Sequence, residues 1–262
     1  MMRYVLGSRS PRRRELLQQI VPADRIDIVP PTSSEEAGFD GLTDWPSIRA
    51  RMQEITRHKS TQVLGQLAAA ADNAVVICAD TSIIITEAGS NDASSCATGS
   101  ANVSSLKAGV GVEKTLAEPV AHNTECVSTT ECPLFEPLRV IGQPPSDEPR
   151  GETVRQWYRD FYAGRTHLAA TSLRVIAPDQ RVIERIVTTR VTFRRDIDPW
   201  FDWYLASGEP QGKAGGYAVQ GAGSIFMTSI VGSLTNVIGL PLEALLEALW
   251  ELGVVESGES RV

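Results

Sequence analysis

Ala74-Val75-Val76-Ile77-Cys78-Ala79-Asp80-Thr81-Ser82-Ile83-Ile84-Ile85 is apolar at every position outside Asp80-Thr81-Ser82. A run this apolar, with no alternation of inward and outward residues, reads as a strand covered on both faces. Ala79-Asp80-Thr81-Ser82 interrupts it. An unpaired carboxylate in such surroundings is costly, so Asp80 must be hydrogen-bonded, paired with a cation or bound to a metal. Partial desolvation also strengthens a carboxylate as a base, which makes Asp80 a candidate for proton transfer. A structural aspartate at a strand bulge is the plainer alternative.

Upstream of this strand, a helix is predicted from Trp45 to Ala71. Tyr4-Val5-Leu6 is a short first strand. Ser10 then serves as N-cap and Pro11 as first residue of a helix whose apolar face is Leu16, Leu17 and Ile20. Downstream, the pattern from Glu87 to about Pro133 dissolves into Ser, Thr, Ala, Gly and Asn. It reads as a flexible surface insertion, at about 88–133, in a single domain spanning 1–262.

Strands are expected at Leu138-Arg139-Val140-Ile141, at Leu168 to Ile176 and at Arg181 to Phe193, the last with Val187, Thr189, Val191 and Phe193 at period two. A helix is expected from about Gly151 to Tyr162. Another, with Pro199 in its first turn, carries Trp200, Trp203 and Tyr204 and stops at Gly208. After the glycine-rich segment Gly208 to Gly223, Ser224 to Val237 suggests a hairpin turning at Gly232-Ser233. Pro241 opens a final helix with the stripe Leu242, Leu245, Leu246 and Leu249, ended by Gly253. Trp200, Trp203 and Trp250 are expected in the core. Strands and helices alternate irregularly, so the fold class is α/β with a mixed sheet rather than a regular doubly wound one.

With 262 residues, 42% of them hydrophobic, the chain can bury a substantial core. The balance of 25 basic against 32 acidic residues, −7 overall, argues against a general nucleic-acid binder or a protein of anionic membranes, so any anion site must be local. Apolar stretches fall short of the roughly 20 residues a membrane span needs, and Met1 to Ser10 lacks the apolar core of a signal peptide. A cytoplasmic location is the expectation. Cys78, Cys96, Cys126 and Cys132 show no CxxC spacing and there are three histidines, which disfavours a zinc site. Cys78 reads as core; for Cys126 and Cys132 a disulfide and exposed thiols remain alternatives.

Three constellations carry chemistry. Arg12, Arg13 and Arg14 occupy the first turn of a helix, where the macrodipole is already positive and basic residues are disfavoured. Free N–H groups, the Ser8 and Ser10 hydroxyls and guanidinium forks together suit a phosphate chain; a solvated turn paired with surface acids is the alternative. Asp80-Thr81 is the second constellation. The third is Gly208-Glu209-Pro210-Gln211-Gly212-Lys213-Ala214-Gly215-Gly216-Tyr217-Ala218-Val219-Gln220-Gly221, whose glycines permit close backbone approach and whose Lys213 adds charge. It is not a Walker A loop, because Gly208 and Gly212 are one residue too close and Ala214 replaces the metal-binding hydroxyl. Glu35 and Glu36 are candidate Mg²⁺ or Mn²⁺ ligands or a plain acidic pair. Lys59 reads as a phosphate contact or, more simply, part of a solvated face, and His167 as a packing or hydrogen-bonding residue.

In this order, Leu6-Gly7-Ser8-Arg9-Ser10-Pro11-Arg12-Arg13-Arg14-Glu15-Leu16-Leu17, Ala79-Asp80-Thr81 and the Lys213 to Gly221 loop resemble the Maf family of nucleotide pyrophosphatases. Gly164-Arg165-Thr166-His167 and Gly232-Ser233-Leu234-Thr235-Asn236-Val237-Ile238-Gly239-Leu240-Pro241 are similar to that family's later motifs. The resemblance implies a Maf/inosine-triphosphatase-like fold, a mixed twisted sheet with flanking helices and a deep cleft, often in a homodimer. It implies cleavage of a nucleoside triphosphate to the monophosphate and pyrophosphate with a divalent metal (Mg²⁺, Mn²⁺ or Co²⁺). By position, Asp80 matches the proton acceptor, and Arg12, Thr81 and Gln220 match the branch acting on dTTP and UTP rather than on 7-methyl-GTP. Lys59 and Lys213 look like the family's phosphate-facing lysines, Ser8 and Arg13 of the arginine turn join them as candidate substrate contacts, and Glu35 or Glu36 joins Asp80 as metal ligand.

Two departures stand out. The family's Gly-Lys-Pro appears as Gly142-Gln143-Pro144 or Asp147-Glu148-Pro149, without its lysine, which would forfeit about 1.5 to 3 kcal/mol if that lysine makes a charged hydrogen bond. The insertion also interrupts the hairpin that follows Asp80-Thr81. The missing lysine, with the cell-division role attached to the family's name, leaves room for an alternative, a catalytically weak nucleotide-binding regulator of cell division.

Overall fold

The computed structural model describes residues 2–33, 37–67, 73–87, 134, 137–146 and 151–255. The 88–133 insertion, Glu35, Glu36, Asp147-Glu148-Pro149, the end of the first long helix beyond Leu67, and Cys96, Cys126 and Cys132 all lie outside them.

Along the chain run β1 (Arg3–Leu6), α1 (Pro11–Leu17), β2 (Ile26–Ile28), α2 (Trp45–Leu67), β3 (Ala74–Thr86), β4 (Leu138–Ile141), α3 (Glu152–Trp157), β5 (Thr166–Ile176), β6 (Val182–Phe193), α4 (Asp198–Ala206), β7 (Met227–Val231), α5 (Leu234–Ile238) and α6 (Leu242–Glu251). The seven strands form one mixed sheet in the order β2-β1-β3-β5-β6-β7, with β4 also on β3. The α/β class and the mixed sheet read from the sequence are both present.

The apolar run is the axis of this sheet. One side of β3 pairs antiparallel with β5 from Val76↔Ile176 to Ile84↔Leu168 with no shift of register. Asp80-Thr81-Ser82 therefore neither interrupts the strand nor bulges it, because the ladder is made by backbone groups and is indifferent to the polarity of the side chains between them. The other side of β3 is shared. β1 pairs parallel with it only as far as Leu6↔Ile77, and β4 pairs antiparallel from Ile83↔Ile141 onward. Between Ile77 and Ile83 that edge has no strand beside it, among the described residues, and this break opens the sheet.

Alternation then sorts the side chains of β3. Val75, Ile77 and Ala79 pack with Leu16 and Leu17 of α1 and Leu242, Leu245 and Leu249 of α6. Val76 and Cys78 face Val63 of α2, and Ile84 faces Trp45, Ile48 and Met52 of the same helix. Even-numbered residues thus look toward α2, while odd-numbered ones look toward α1 and α6 up to Ala79 and, at Ile83 and Ile85, toward the aromatic cluster around α3 and α4. The insertion leaves and returns at one place, since Glu87 N–H donates to Pro137 O at 2.9 Å and Thr86 pairs with Leu138.

Three expectations need correction. The helix from Gly151 widens into a π-turn over Tyr158–Tyr162. Ser224 to Val237 is no hairpin: Met227–Val231 is a single strand on β6, and Ser233 caps α5 by accepting from Asn236 N–H at 3.1 Å. Trp200, Trp203 and Trp250 are 40%, 57% and 46% exposed, whereas Phe201 and Tyr204, on the neighbouring face of α4, are buried. The aromatics actually in the core, Tyr158, Tyr162, Phe193, Phe201, Tyr204, Tyr217 and Phe226, surround the start of β5 and the end of β6.

His167 lies within this aromatic cluster, fully buried, its Nε2 2.7 Å from the Tyr217 hydroxyl, as its reading as a packing residue expects. Burial lowers its pKa from 6.5 to about 3. Between those values the unfolded chain binds a proton that the folded chain refuses, so the contribution of His167 is full above pH 6.5 and drains away as pH falls toward 3. Moving from pH 7 to pH 5 should remove about 2 kcal/mol through this residue. The difference between wild type and His167→Phe in urea unfolding at the two pH values isolates it; equal pH dependence of the two proteins would refute the assignment.

Candidate active site

The break in the sheet is filled by the chain leaving β1. Gly7 N–H still donates to Ile77 O at 2.8 Å, and a Cβ on Gly7 would meet the Cys78 sulfur, so only glycine lets the chain turn away this close to β3. Ser8 is buried, and Ser10 caps α1 by accepting from Arg13 N–H at 3.4 Å, with Pro11 at the first helical position. The turn that carries the arginines is thereby anchored beside the open edge of β3.

Because neighbouring strand residues point to opposite faces, Asp80 and Thr81 enter different environments. Asp80 faces α2, where Lys59 donates to its Oδ1 at 2.6 Å, both side chains being only 12% exposed. Lys59 thus gives the buried carboxylate both a hydrogen bond and a compensating cation, and it belongs to no solvated face. Thr56, one turn earlier on α2, is 2.8 Å from the Ser172 hydroxyl, which tethers the helix to the strand opposite Asp80. Thr81 faces the other way. Its hydroxyl is 2.9 Å from that of Thr171, its cross-strand partner, and accepts from Arg13 Nη2 at 3.2 Å.

Arg13 is the hub of that second environment, donating also from Nε to Gly239 O at 2.8 Å and from Nη1 to Ser8 Oγ at 3.3 Å. A planar fork is needed to hold three such acceptors at once, and lysine could not replace it. Gly239, at φ +127, ends α5, and buried Asn236 fixes that helix by donating to Ala169 O at 2.9 Å and to Thr189 Oγ1 at 3.0 Å. Arg12 instead lines the open cleft, close enough to Lys213 that its charge, after burial, helps lower the lysine's pKa. Two cations held near each other across open space create a site for an anion.

The cleft has a volume of 1280 Å³, and Ser8, Arg12, Arg13, Lys59, Asp80, Thr81, Lys213 and Gln220 all line it. Every substrate-binding and catalytic residue inferred from the sequence is therefore brought together. The proposed metal ligands Glu35 and Glu36 fall outside the described residues, although Ser33 and Gly38 on either side line the cleft. Among the described residues the cleft presents the carboxylates of Asp40, Asp80 and Glu87, and no three His, Cys, Asp or Glu side chains group as a metal site. Gln143, where the family's lysine is expected on one alignment, is exposed at the cleft edge after β4.

Sequence reasoning missed Gly239, Thr171 and Asp40. The Thr81–Thr171 pair was findable once β3 and β5 were known to be neighbours, and Gly239 O from the end of its motif; nothing in the sequence singles out Asp40. No helix among the described residues is long and apolar enough to cross a membrane.

Comparison with known proteins bears on the whole chain. A dTTP/UTP pyrophosphatase of Maricaulis maris is 44% identical over 107 residues, 40% of this chain and 51% of that one. One from Caulobacter vibrioides is 47% identical over 91 residues, 35% of this chain and 47% of that one. The chain thus spans about half the length of the curated relatives it matches. A solved nucleoside-triphosphatase / dITP/XTP pyrophosphatase from Mycobacterium abscessus aligns over 97% of this chain and 98% of its own at 9% identity and a TM-score of 0.35, a likeness too faint to bear on fold or function. The family model described as Maf-like protein matches residues 3–132 and 138–252, on both sides of the break that forms the cleft, and the chain belongs to that family.

Proposed function

We propose that the protein hydrolyses a pyrimidine nucleoside triphosphate, dTTP or UTP, to the monophosphate and pyrophosphate. The observation that carries this reading is the Asp80–Lys59 pair at the open edge of β3, facing a cleft whose other walls present Arg12 and Lys213. A buried carboxylate already paired with one cation and facing others suits attack by water on a polyanion, and the relatives from Maricaulis and Caulobacter carry the dTTP/UTP pyrophosphatase name.

In the proposed reaction Asp80 accepts a proton from a water, whose oxygen bonds to the α-phosphorus as the bond from that phosphorus to the bridging oxygen breaks. Pyrophosphate takes the electron pair, and one proton is released to solvent per turnover. Lys59, Arg12 and Lys213 stabilise the charge that grows on the phosphate oxygens. Arg13, already committed to Ser8, Thr81 and Gly239, fixes the shape of the turn. Thr81 and Gln220, which line the same cleft, would contribute to selection of the base, as the family resemblance implies.

A hard divalent cation arriving with a triphosphate takes one or two protein carboxylates and completes its shell with phosphate oxygens and water. Asp80 fits as one such donor, with Glu35 or Glu36 the second implied by family resemblance. Bound there, the cation would neutralise phosphate charge.

The test is a purified-protein screen of dTTP, UTP and CTP with Mg²⁺, Mn²⁺ or Co²⁺, scoring pyrophosphate and orthophosphate separately. Metal-dependent pyrophosphate release is the expected result. Orthophosphate as sole product, or tight nucleotide binding without turnover, would overturn it, the latter in favour of the non-catalytic regulator.

A further inference from the structure

Lys213 and Gln220 sit on a segment, Gly208 to Gly223, whose regular structure is confined to short 3₁₀ turns. Something other than regular secondary structure must hold its backbone. Glu209, behind the cleft wall, takes both ends of the segment. Its carboxylate accepts the Ala222 N–H on one oxygen and the Gly223 N–H, at 2.8 Å, on the other, while its backbone carbonyl accepts the Lys213 ammonium. The buried aromatic cluster supports the middle: Tyr162 donates to Gly215 O at 3.1 Å and Tyr204 to Gly216 O at 2.7 Å.

The glycines show how tight this clasp is. A Cβ on Gly221 would collide with the Glu209 carboxylate, and one on Gly223 would lie 3.1 Å from the Tyr204 hydroxyl. One on Gly215, at φ +71, would lie 2.7 Å from both Ile83 Cγ1 and the Tyr162 hydroxyl. The close backbone approach suggested by the glycine-rich sequence is an approach to the protein's own groups.

We propose that Glu209 is a positioning residue for nucleotide binding, fixing Lys213 and Gln220 in place before the triphosphate arrives, with the Tyr162 and Tyr204 hydroxyls as the floor of the same clasp. The proposal rests on the reading of the cleft as a triphosphate site. A loop ordered in advance forfeits less entropy on binding, so loss of the clasp falls on affinity. Asp80 and Lys59 belong to β3 and α2 and keep their geometry.

Glu209→Ala and Glu209→Gln should raise KM for dTTP or UTP, and the Kd for inorganic tripolyphosphate by calorimetry, by about tenfold or more, with a smaller fall in kcat as Lys213 loses its fixed place. The glutamine variant is included in that expectation because a side-chain amide has a single acceptor oxygen and can satisfy only one side of the two-oxygen clasp. Tyr204→Phe keeps the aromatic packing and removes only the hydroxyl, so it tests the same clasp if the Glu209 variants fail to fold; its shift should be in the same direction and smaller. A fall in kcat with KM and Kd unchanged, or no change in either, overturns the proposal. If wild type binds tripolyphosphate but releases no pyrophosphate, the proposed reaction fails while the Kd shift still decides the role of Glu209. If wild type binds no tripolyphosphate, both fall.

Discussion

Asp80→Asn should lower pyrophosphate release by about a hundredfold or more while leaving the fold intact, the usual consequence of removing a general base. The geometry makes this a nearly isosteric substitution, whose cost in stability is the counter-charge lost to Lys59. Asparagine keeps the size of the side chain and an oxygen that can accept from Lys59, now 2.6 Å from Oδ1. The backbone of residue 80 remains paired in the ladder opposite Ser172 whatever its side chain. What disappears is the negative charge and with it the ability to take a proton from water. The measurement is steady-state pyrophosphate release from dTTP and UTP, beside circular dichroism and a melting curve. Near-wild-type release from a folded variant would remove Asp80 from the mechanism.

Much of the fold was legible because burial on both faces demands an unbroken apolar run, and Ala74–Ile85 has one on either side of Asp80. The supposed interruption was a misreading of where polarity matters. Asp80, Thr81 and Ser82 follow the strand because their backbones have β5 as partner, and the side chains of Asp80 and Thr81 are satisfied by Lys59, Arg13 and Thr171, which are remote in sequence. Gly232-Ser233 resembled a hairpin turn because the same residues that turn a chain also start a helix, and here Ser233 caps α5. The tryptophans misled through their chemistry. On α4, Phe201 and Tyr204 share one face and Trp200 and Trp203 another; the first pair faces the core, while the Arg194 guanidinium stacks 4.7 Å from the centre of the Trp200 ring. Helical spacing separates these two pairs without saying which points inward, and the expectation of a tryptophan core rested on residue type alone.

The site was legible for a different reason. Each of its motifs is a contiguous string whose spacing is set by local structure, and the strings converge because a strand ending at Leu6 leaves the β3 edge open beyond Ile77. What joins the strings was invisible. The bond of Arg13 to Thr81, and those of Glu209 to Ala222 and Gly223, depend on how loops close upon themselves, and no periodicity encodes that.

Lys59→Met should reduce turnover by about a hundredfold, as for loss of one charge-stabilising donor in a partly dry site, and destabilise the protein at the same time. Lys59 supplies the positive charge against which Asp80 is buried. Removing one partner of a fully buried pair costs about 3–5 kcal/mol, and cleft water reaching a carboxylate that is 12% exposed should reduce this to about 2 kcal/mol. The loss in stability and the loss in turnover have separable origins, and the double variant Lys59→Met/Asp80→Asn tells them apart. With both charges gone neither is left unpaired, so its stability should return most of the way to wild type although its activity does not. Lys59→Arg should not restore turnover, because a planar guanidinium cannot take the place of a compact ammonium against one carboxylate oxygen. Additive destabilisation in the double variant, measured by urea unfolding, would mean that the two side chains do not stabilise each other, and the pairing on which the site is built would have to be abandoned.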